Sequence, residues 1–380
     1  MKVMTVVGTR PEIIRLSRVI ARLDEEVEHR LVHTGQNWDP QLSDVFFKEL
    51  ELRPPDHWLD VPVTSLGAVL GGVLARVEPV LLDERPDAVL VLGDTNSCLA
   101  AVMAKRLGIP VFHMEAGNRC FDENVPEETN RRIIDHIADF NLCYTEHARR
   151  NLLAEGLPAR RVFVTGSPMA EVLTAYDDRI VRSDVLDRLG LTPRGYFLVS
   201  MHREENVDDP ARLEVLVRAL DELAARHRTR VVASTHPRLR KRLAGLGPSG
   251  AGRIEFLEPF GFLDYNKLQR QARCVLSDSG TISEESAISG FPAVTIRDAM
   301  ERPEALDSGS IVLAGVTAEA IGRCVDLVTA QWESGVRPTV PVDYQVPDCS
   351  IRVSRIIHGL AGLHHRWSGL RPKRWHRTEG

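Results

Sequence analysis

The sequence predicts an α/β protein of two doubly wound, Rossmann-like domains facing a cleft, and three observations carry that prediction. Short β-branched runs alternate with longer amphipathic segments, the rhythm of βαβ units and of a parallel sheet covered on both faces. The rhythm starts afresh near the middle of the chain. At 380 residues, the chain also exceeds what one hydrophobic core usually organises.

KVMTVVG, HRLVHTG, DAVLVLG, IPVFHMEAG, FNLCYT and RVFVTG each stand before a helical stretch. After SPMAEVLTAYDDRIVRSDVLDRLGLTPRG the series resumes with YFLVSMH, RVVASTH, RIEFLE, RCVLSDSG, FPAVTIR and SIVLAG. The predicted domains are 1–170 and 171–350, followed by a helix and basic tail over 351–380 that reads either as solvated after that last helix or as packing back on the first domain. VVGTRPE (6–12) and VSMHREE (199–205) are alike, each a strand running into a loop with an arginine and then an acid. Ligands of open α/β sheets sit beyond the carboxyl ends of the strands, so such loops would line the cleft.

Lys and Arg number 48 against 53 Asp and Glu, a net charge of −5, so no global basic field suggests nucleic acid or an anionic membrane as partner. The first residues run straight into a strand without a leader pattern, and no apolar run approaches the roughly 18 residues of a membrane span, which predicts a soluble, cytoplasmic protein. Six widely spaced cysteines with no C-x-x-C pair argue against structural zinc and against a disulfide framework.

Any anion site must therefore be local. VLSDSGTISEESAISG (275–290) reads as a strand, a turn at Gly280 and a helix starting near Thr281, whose amides and positive end favour a phosphate, with Ser279 and Thr281 adding hydroxyls. Plain capping explains the same residues equally well. Glu284 and Glu285 tilt the reading, because a carboxylate in the first turn can accept both hydroxyls of a ribose; phosphate plus ribose means nucleotide. GxGxxG and Walker patterns are absent. Further cations stand at strand ends: Arg10 and Arg15 in GTRPEIIR, His202 and Arg203 in MHREEN, and Arg302 in ERPEA.

Acids gather elsewhere. VLVLGDTNS puts Asp94 at one strand end, HMEAGNR puts Glu115 at the next, and Glu127 opens the helix of PEETNRR. Asp94 as a helix cap and Glu127 as a dipole partner are the ordinary alternatives; Glu115 has none. Crowded acids in a water-poor site divide into acid and base roles. Metal binding by His113 and Glu115 is disfavoured, since alternate strand residues point to opposite faces.

Eight pieces in order, GTRPEIIR, GDTNS, HMEAGNR, PEETNRR, HREEN, THPR, SDSGTISEES and ERPEA, resemble the non-hydrolysing UDP-N-acetylglucosamine 2-epimerases over nearly the whole chain. The resemblance implies a fold like that of the B-type glycosyltransferases, with UDP held by the second domain and the sugar by the first. It implies reversible inversion at C2 of a UDP-2-acetamido sugar: proton removal, anti-elimination of UDP to a 2-acetamidoglycal, and re-addition, with no redox cofactor and no metal. It places Asp94, Glu115 and Glu127 in the acid/base set, and Arg10 and the catalytic His202 beside the diphosphate. Ser279, Gly280 and Thr281 fall at the phosphate helix, Glu285 at the ribose, Arg302 near the phosphates and Tyr265 near the uracil, unless that ring packs on its own sheet. A homodimer is typical of such proteins.

Two features depart from the pattern. Arg15 stands where many relatives carry lysine. TGQNWDPQLSDVFFKEL lacks the glutamine-rich effector segment of some bacterial members, which argues against activation by substrate. The wording GQNWDPQLSDVFF, HMEAGNRCFDENVPEE and SMHREENVDDP is closest to the subgroup that forms UDP-N-acetyl-L-fucosamine. A hydrolysing relative that releases UDP shares every motif, and a glycosyltransferase of the same architecture shares the nucleotide half.

Overall fold

The computed structural model describes residues 1–35, 40–235, 237–243 and 254–369, without the side chains of 40–44, 204, 237–238 and 241. The THPR histidine (His236), residues 36–39 of the segment that departs from the effector pattern, and the basic tail from 370 onward lie outside the described residues.

The chain forms two compact units, one of Met1–Val172 with Val346–Gly380 and one of Leu173–Gln345. Unit 1 holds a seven-stranded parallel sheet: β1 (Lys2–Val7), β2 (Glu28–His33), β3 (His57–Trp58), β4 (Ala88–Leu92), β5 (Val111–Met114), β6 (Phe140–Cys143) and β7 (Val162–Val164). Their spatial order is β3-β2-β1-β4-β5-β6-β7. The order reverses direction between β1 and β4, where Val3 lies opposite Ala88, and the loops leaving such a pair splay apart to open a crevice. β5 lies beside β4, with Leu92 opposite Met114, so the loops after β1, β4 and β5 share one end of the sheet. The central strands read as unbroken apolar runs because helices cover both faces; every residue of β4 and β5 is buried.

The helix Arg10–Glu26 buries Ile13, Leu16, Val19, Ile20 and Leu23 at helical spacing, and packs against the helix Cys349–Leu360 of the same unit. Val353 and Ile357 anchor that late helix, each worth about 1.5–3 kcal/mol of burial. Ser350 N–H also donates to Glu171 at 2.8 Å.

Unit 2 repeats the plan with β8 (Tyr196–Met201), β9 (Arg230–Thr235), β10 (Ile254–Leu257), β11 (Cys274–Ser277), β12 (Ala293–Thr295) and β13 (Val312–Leu313), in the order β10-β9-β8-β11-β12-β13. Its reversal falls between β8 and β11, with Ser200 opposite Ser277. The loops MHREEN and SDSGT therefore leave neighbouring strands at one sheet end. The one strand not predicted from sequence is β3, two edge residues with no β-branched run to announce them.

No described helix is long and apolar enough to cross a membrane. All six cysteines are free, and no group of three His, Cys, Asp or Glu side chains among the described residues could hold a metal ion.

Candidate functional site

In unit 1 the carboxylates at the ends of β4 and β5 are each held by an arginine. Arg131 Nε donates to Asp94 Oδ2 at 2.7 Å, and Arg15 donates to Glu115 in a buried pair. Glu115 is only 8% exposed and its backbone has φ +63°, a left-handed conformation that costs a residue with a Cβ about 1–3 kcal/mol and that recurs at functional sites. Asn118 Nδ2 reaches its other oxygen at 3.4 Å. Gly117, two residues on, has φ +84°, and a Cβ there would lie 2.3 Å from the Ala148 carbonyl, so only glycine lets this loop press onto the helix Glu146–Ala154.

The helix Pro126–Ile137 supplies the arginine for Asp94. Its buried face is charged, with Glu128, Arg131 and Asp135 beside Ile134. Arg131 Nη1 also donates to Glu128 at 2.9 Å, and the Cys120 amide and thiol approach the same carboxylate at 3.3 Å. Burial pushes the Glu128 carboxyl up, but Arg131 and the Cys120 contacts together bring it below the ordinary glutamate value. Glu127 lies half-buried in the first turn of the same helix. Arg10, at the mouth of its helix, lies over the Phe46 ring at 5.7 Å.

Glu12, which sequence reasoning passed over, ties two of these loops together. It accepts from the Gly8 amide (3.0 Å), the Thr9 amide (2.7 Å), the Thr9 hydroxyl (2.8 Å) and the Ser97 hydroxyl, joining the loop after β1 to the loop after β4. Burial raises its pKa from 4.5 to about 6, against the pull of those hydrogen bonds. A raised carboxyl pKa gives stability that is complete below pH 4.5 and is lost as the pH climbs through about 6; at about 1.4 kcal/mol per pH unit this amounts to about 2 kcal/mol. Glu12→Gln should flatten the stability profile across that window, as read by urea unfolding at pH 4.5 and 6.5.

In unit 2 the buried Asp278, at the end of β11, binds the neighbouring loop. It accepts from the His202 and Arg203 amides and from Asn206 Nδ2, each at 3.1 Å, and lies 3.2 Å from His202 Nδ1. The His202 ring is 44% exposed, so its other edge reaches solvent. The Ser279 and Thr281 hydroxyls meet at 3.0 Å, and Thr281 makes no side-chain cap bond to the helix Ile282–Ser289. The capping explanation of Thr281 therefore does not describe the molecule. Gly280 lies in the expected turn, closed by the Ile282 amide on the Ser279 carbonyl at 3.4 Å, but no left-handed φ requires glycine there; a Cβ would instead stand 3.1 Å from Glu301 Oε2.

The cations take places of their own. Arg15, expected to face a diphosphate, is engaged by Glu115 in unit 1. Arg203 Nη2 lies 3.3 Å from Glu301, which also accepts from Arg297 at 3.1 Å. Arg302, 2% exposed, is 3.1 Å from Glu284. Gln269 Nε2 donates to Glu285 at 2.5 Å. Tyr265 is partly buried and packs against the core cluster that includes Leu268 and Val275; burial first, then Glu285, raises its phenol pKa.

His113 is buried, with Nε2 2.8 Å from the Gly93 carbonyl and Nδ1 3.0 Å from Asp135. A cavity of about 1090 Å³ in unit 1, lined by Met1, Asp87, Lys105, Arg161 and Trp367, lies where the strands begin, at the other end of the sheet from these loops.

Paired parallel-sheet α/β units with loops gathered at the strand reversals define a protein of the B-type glycosyltransferase architecture. The profile of the family described as UDP-N-acetylglucosamine 2-epimerase matches residues 21–358. The chain belongs to the non-hydrolysing UDP-N-acetylglucosamine 2-epimerase family and is an isomerase of that type. It is 46% identical to a UDP-N-acetylglucosamine 2-epimerase from Rickettsia bellii, with TM-score 0.90 over 98% of this chain and 100% of that one. A Methanocaldococcus jannaschii UDP-GlcNAc 2-epimerase, solved in complex with UDP-GlcNAc and UDP, is 34% identical, with TM-score 0.88 over 94% and 100% of the two chains. The UDP-2,3-diacetamido-2,3-dideoxy-D-glucuronate 2-epimerase of Pseudomonas aeruginosa is 34% identical over 96% of this chain and all of its own length.

Proposed function

We propose that the chain inverts C2 of a UDP-2-acetamido sugar reversibly and without net hydrolysis. Asp94, Glu115 and Glu127 serve as the acid/base set. Arg10, His202, Arg203, Ser279, Gly280, Thr281, Glu285 and Arg302 hold UDP. The observation that carries this reading is Glu115: a buried carboxylate in a strained backbone conformation, fixed by Arg15 at the end of β5 beside β4, whose following loop holds Asp94.

Removing the C2 proton and breaking the C1–O bond to UDP leaves a 2-acetamidoglycal; UDP then re-adds while C2 takes a proton on the opposite face. The hydrogen leaves and returns as a proton, so no redox cofactor enters. General acid–base help is commonly worth about 10²–10⁴ in rate, which gives the carboxylates a task commensurate with the cost of burying them. Holding the expelled UDP falls to the helix start at Thr281 and the cations around it, whose amides and charges favour a leaving pyrophosphate.

Arg15, engaged by Glu115, sets that acid in place in this reading, Gln269 orients Glu285 for the ribose, and Tyr265 stands near the uracil. A homodimer and a cytoplasmic location accompany the family resemblance. The sugar belongs among UDP-GlcNAc, a 6-deoxy-L sugar leading to UDP-N-acetyl-L-fucosamine, and a diacetamido uronate like that in the name of the Pseudomonas relative.

The test is incubation of the enzyme with each of these UDP-sugars in D₂O. The accepted sugar should give both C2 epimers with deuterium at C2, and UDP should not accumulate. Epimers without solvent label contradict proton abstraction, and release of free sugar with stoichiometric UDP contradicts the non-hydrolysing reading.

A further inference from the structure

The buried face of the helix Pro126–Ile137 is where an amphipathic helix normally carries aliphatic side chains, and here it presents Glu128, Arg131 and Asp135. Charges withdrawn from water cost several kcal/mol unless they are fully paired, so an apolar face would have made the more stable helix. Asp135 is the most enclosed of the three, with no exposed surface. It accepts from Arg119 Nη1 at 2.7 Å and, through both oxygens, from the Gly117 amide at 3.2 Å; His113 Nδ1 stands 3.0 Å away in a contact that lacks hydrogen-bond geometry. Each contact leads to one of the two acids. Gly117 and Arg119 lie just after Glu115 in the same loop, which holds it at positive φ, and Arg119 is clamped from its other side by Glu155 at 2.7–2.8 Å. His113 passes the contact across the sheet to the Gly93 carbonyl at 2.8 Å, the residue next to Asp94.

We propose that Asp135 is a positioning residue for the epimerase: one buried carboxylate, without touching substrate, sets the loop of Glu115 through Gly117 and Arg119 and the loop of Asp94 through His113. The chain alone would not hold Glu115 left-handed, since that conformation is unfavourable for any residue with a Cβ, so outside contacts must hold it. Asp135 supplies them from a helix that also carries Glu127 and the arginine that grips Asp94. This inference rests on the acid roles proposed above, and its test separates the two.

Asp135→Asn keeps the shape but sets an amide N–H₂ among donors. In the full-length enzyme, the peptide spanning 114–120 should exchange its amide hydrogens faster than in wild type. The turnover number should fall about 10²-fold, the usual consequence of misplacing a reacting group by about 1 Å, while the UDP dissociation constant stays unchanged. Unaltered exchange at 114–120, retained turnover, or equal losses in turnover and UDP affinity would each overturn the proposal. Should Asp135→Asn fail to fold, His113→Gln decides the matter: it spares the Arg119–Asp135 pair, and should loosen the 93–97 segment and lower turnover, whereas wild-type values for both refute the hub. Failure of the functional reading shows separately, as wild-type enzyme that exchanges no C2 hydrogen with any UDP-2-acetamido sugar.

Discussion

Glu115→Gln will lower both C2 epimerisation and C2 deuterium incorporation by about 10²–10⁴-fold while UDP binds as tightly as to wild type. Glutamine matches glutamate in shape and still offers an oxygen to Arg15, so the rotamer and the loop persist while the capacity to take or return a proton is gone. Stability should fall by less than the about 3–5 kcal/mol that truncating one partner of a buried ion pair costs, because Arg15 keeps an acceptor. Turnover and isotope exchange must fall together, since both report the same proton transfer. UDP affinity should not follow them, because the groups assigned to UDP, Arg10 apart, belong to the other unit. Isothermal titration with UDP and mass spectrometry of the recovered UDP-sugar measure the two sides. A variant that turns over at the wild-type rate would remove Glu115 from the chemistry.

Much of this arrangement can be read from the chain because its strands are fully buried and parallel. Such strands are largely continuous apolar runs, and the polar residues one or two positions beyond them lie at the sheet end; Asp94, Glu115, His202 and Ser279 are legible on that ground. What escaped is the layer behind them. Glu128, Arg131 and Asp135 stand within motifs that were recognised, yet reading them as solvated helix charges hides that they occupy the inward face. The available signal was periodic: positions 128, 131 and 135 fall at i, i+3 and i+7 alongside Ile134, the pattern of a buried stripe written in charged letters. Asp278 gives the same signal as Glu115, being the first residue beyond β11, and its burial is legible on that ground. Gly280 shows the opposite limit. Sequence calls for a glycine, but whether φ or a close neighbour demands it depends on Glu301, a residue twenty-one positions away in the chain that only the fold brings near.

The second large effect belongs to the nucleotide. Glu285→Gln should weaken UDP binding roughly 10–100-fold, the scale of a hydrogen bond to a charged group at about 1.5–3 kcal/mol. Glu285 stands in the first turn of the helix whose start is assigned to the phosphates, 9% exposed, with Gln269 Nε2 on one oxygen and the Tyr265 ring packed nearby. A carboxylate so oriented accepts two hydroxyl donors at once; an amide turns a donor toward one of them, and Gln269 then meets either an amide N–H₂ or a changed rotamer. The loss should depend on the ligand. With 2′-deoxy-UDP the missing hydroxyl already forfeits part of the interaction in wild type, so the same substitution should cost less, and the double-mutant cycle over protein and ligand gives a coupling well above experimental error. Equal losses for UDP and its 2′-deoxy analogue would place the ribose elsewhere and leave Glu285 a structural acid, held by Gln269 for the sake of the core. A coupling confined to the 2′-hydroxyl would instead fix the nucleotide's direction on this helix, phosphates at Thr281 and sugar one turn further along, and with it the side of UDP from which the expelled oxygen must return to C1.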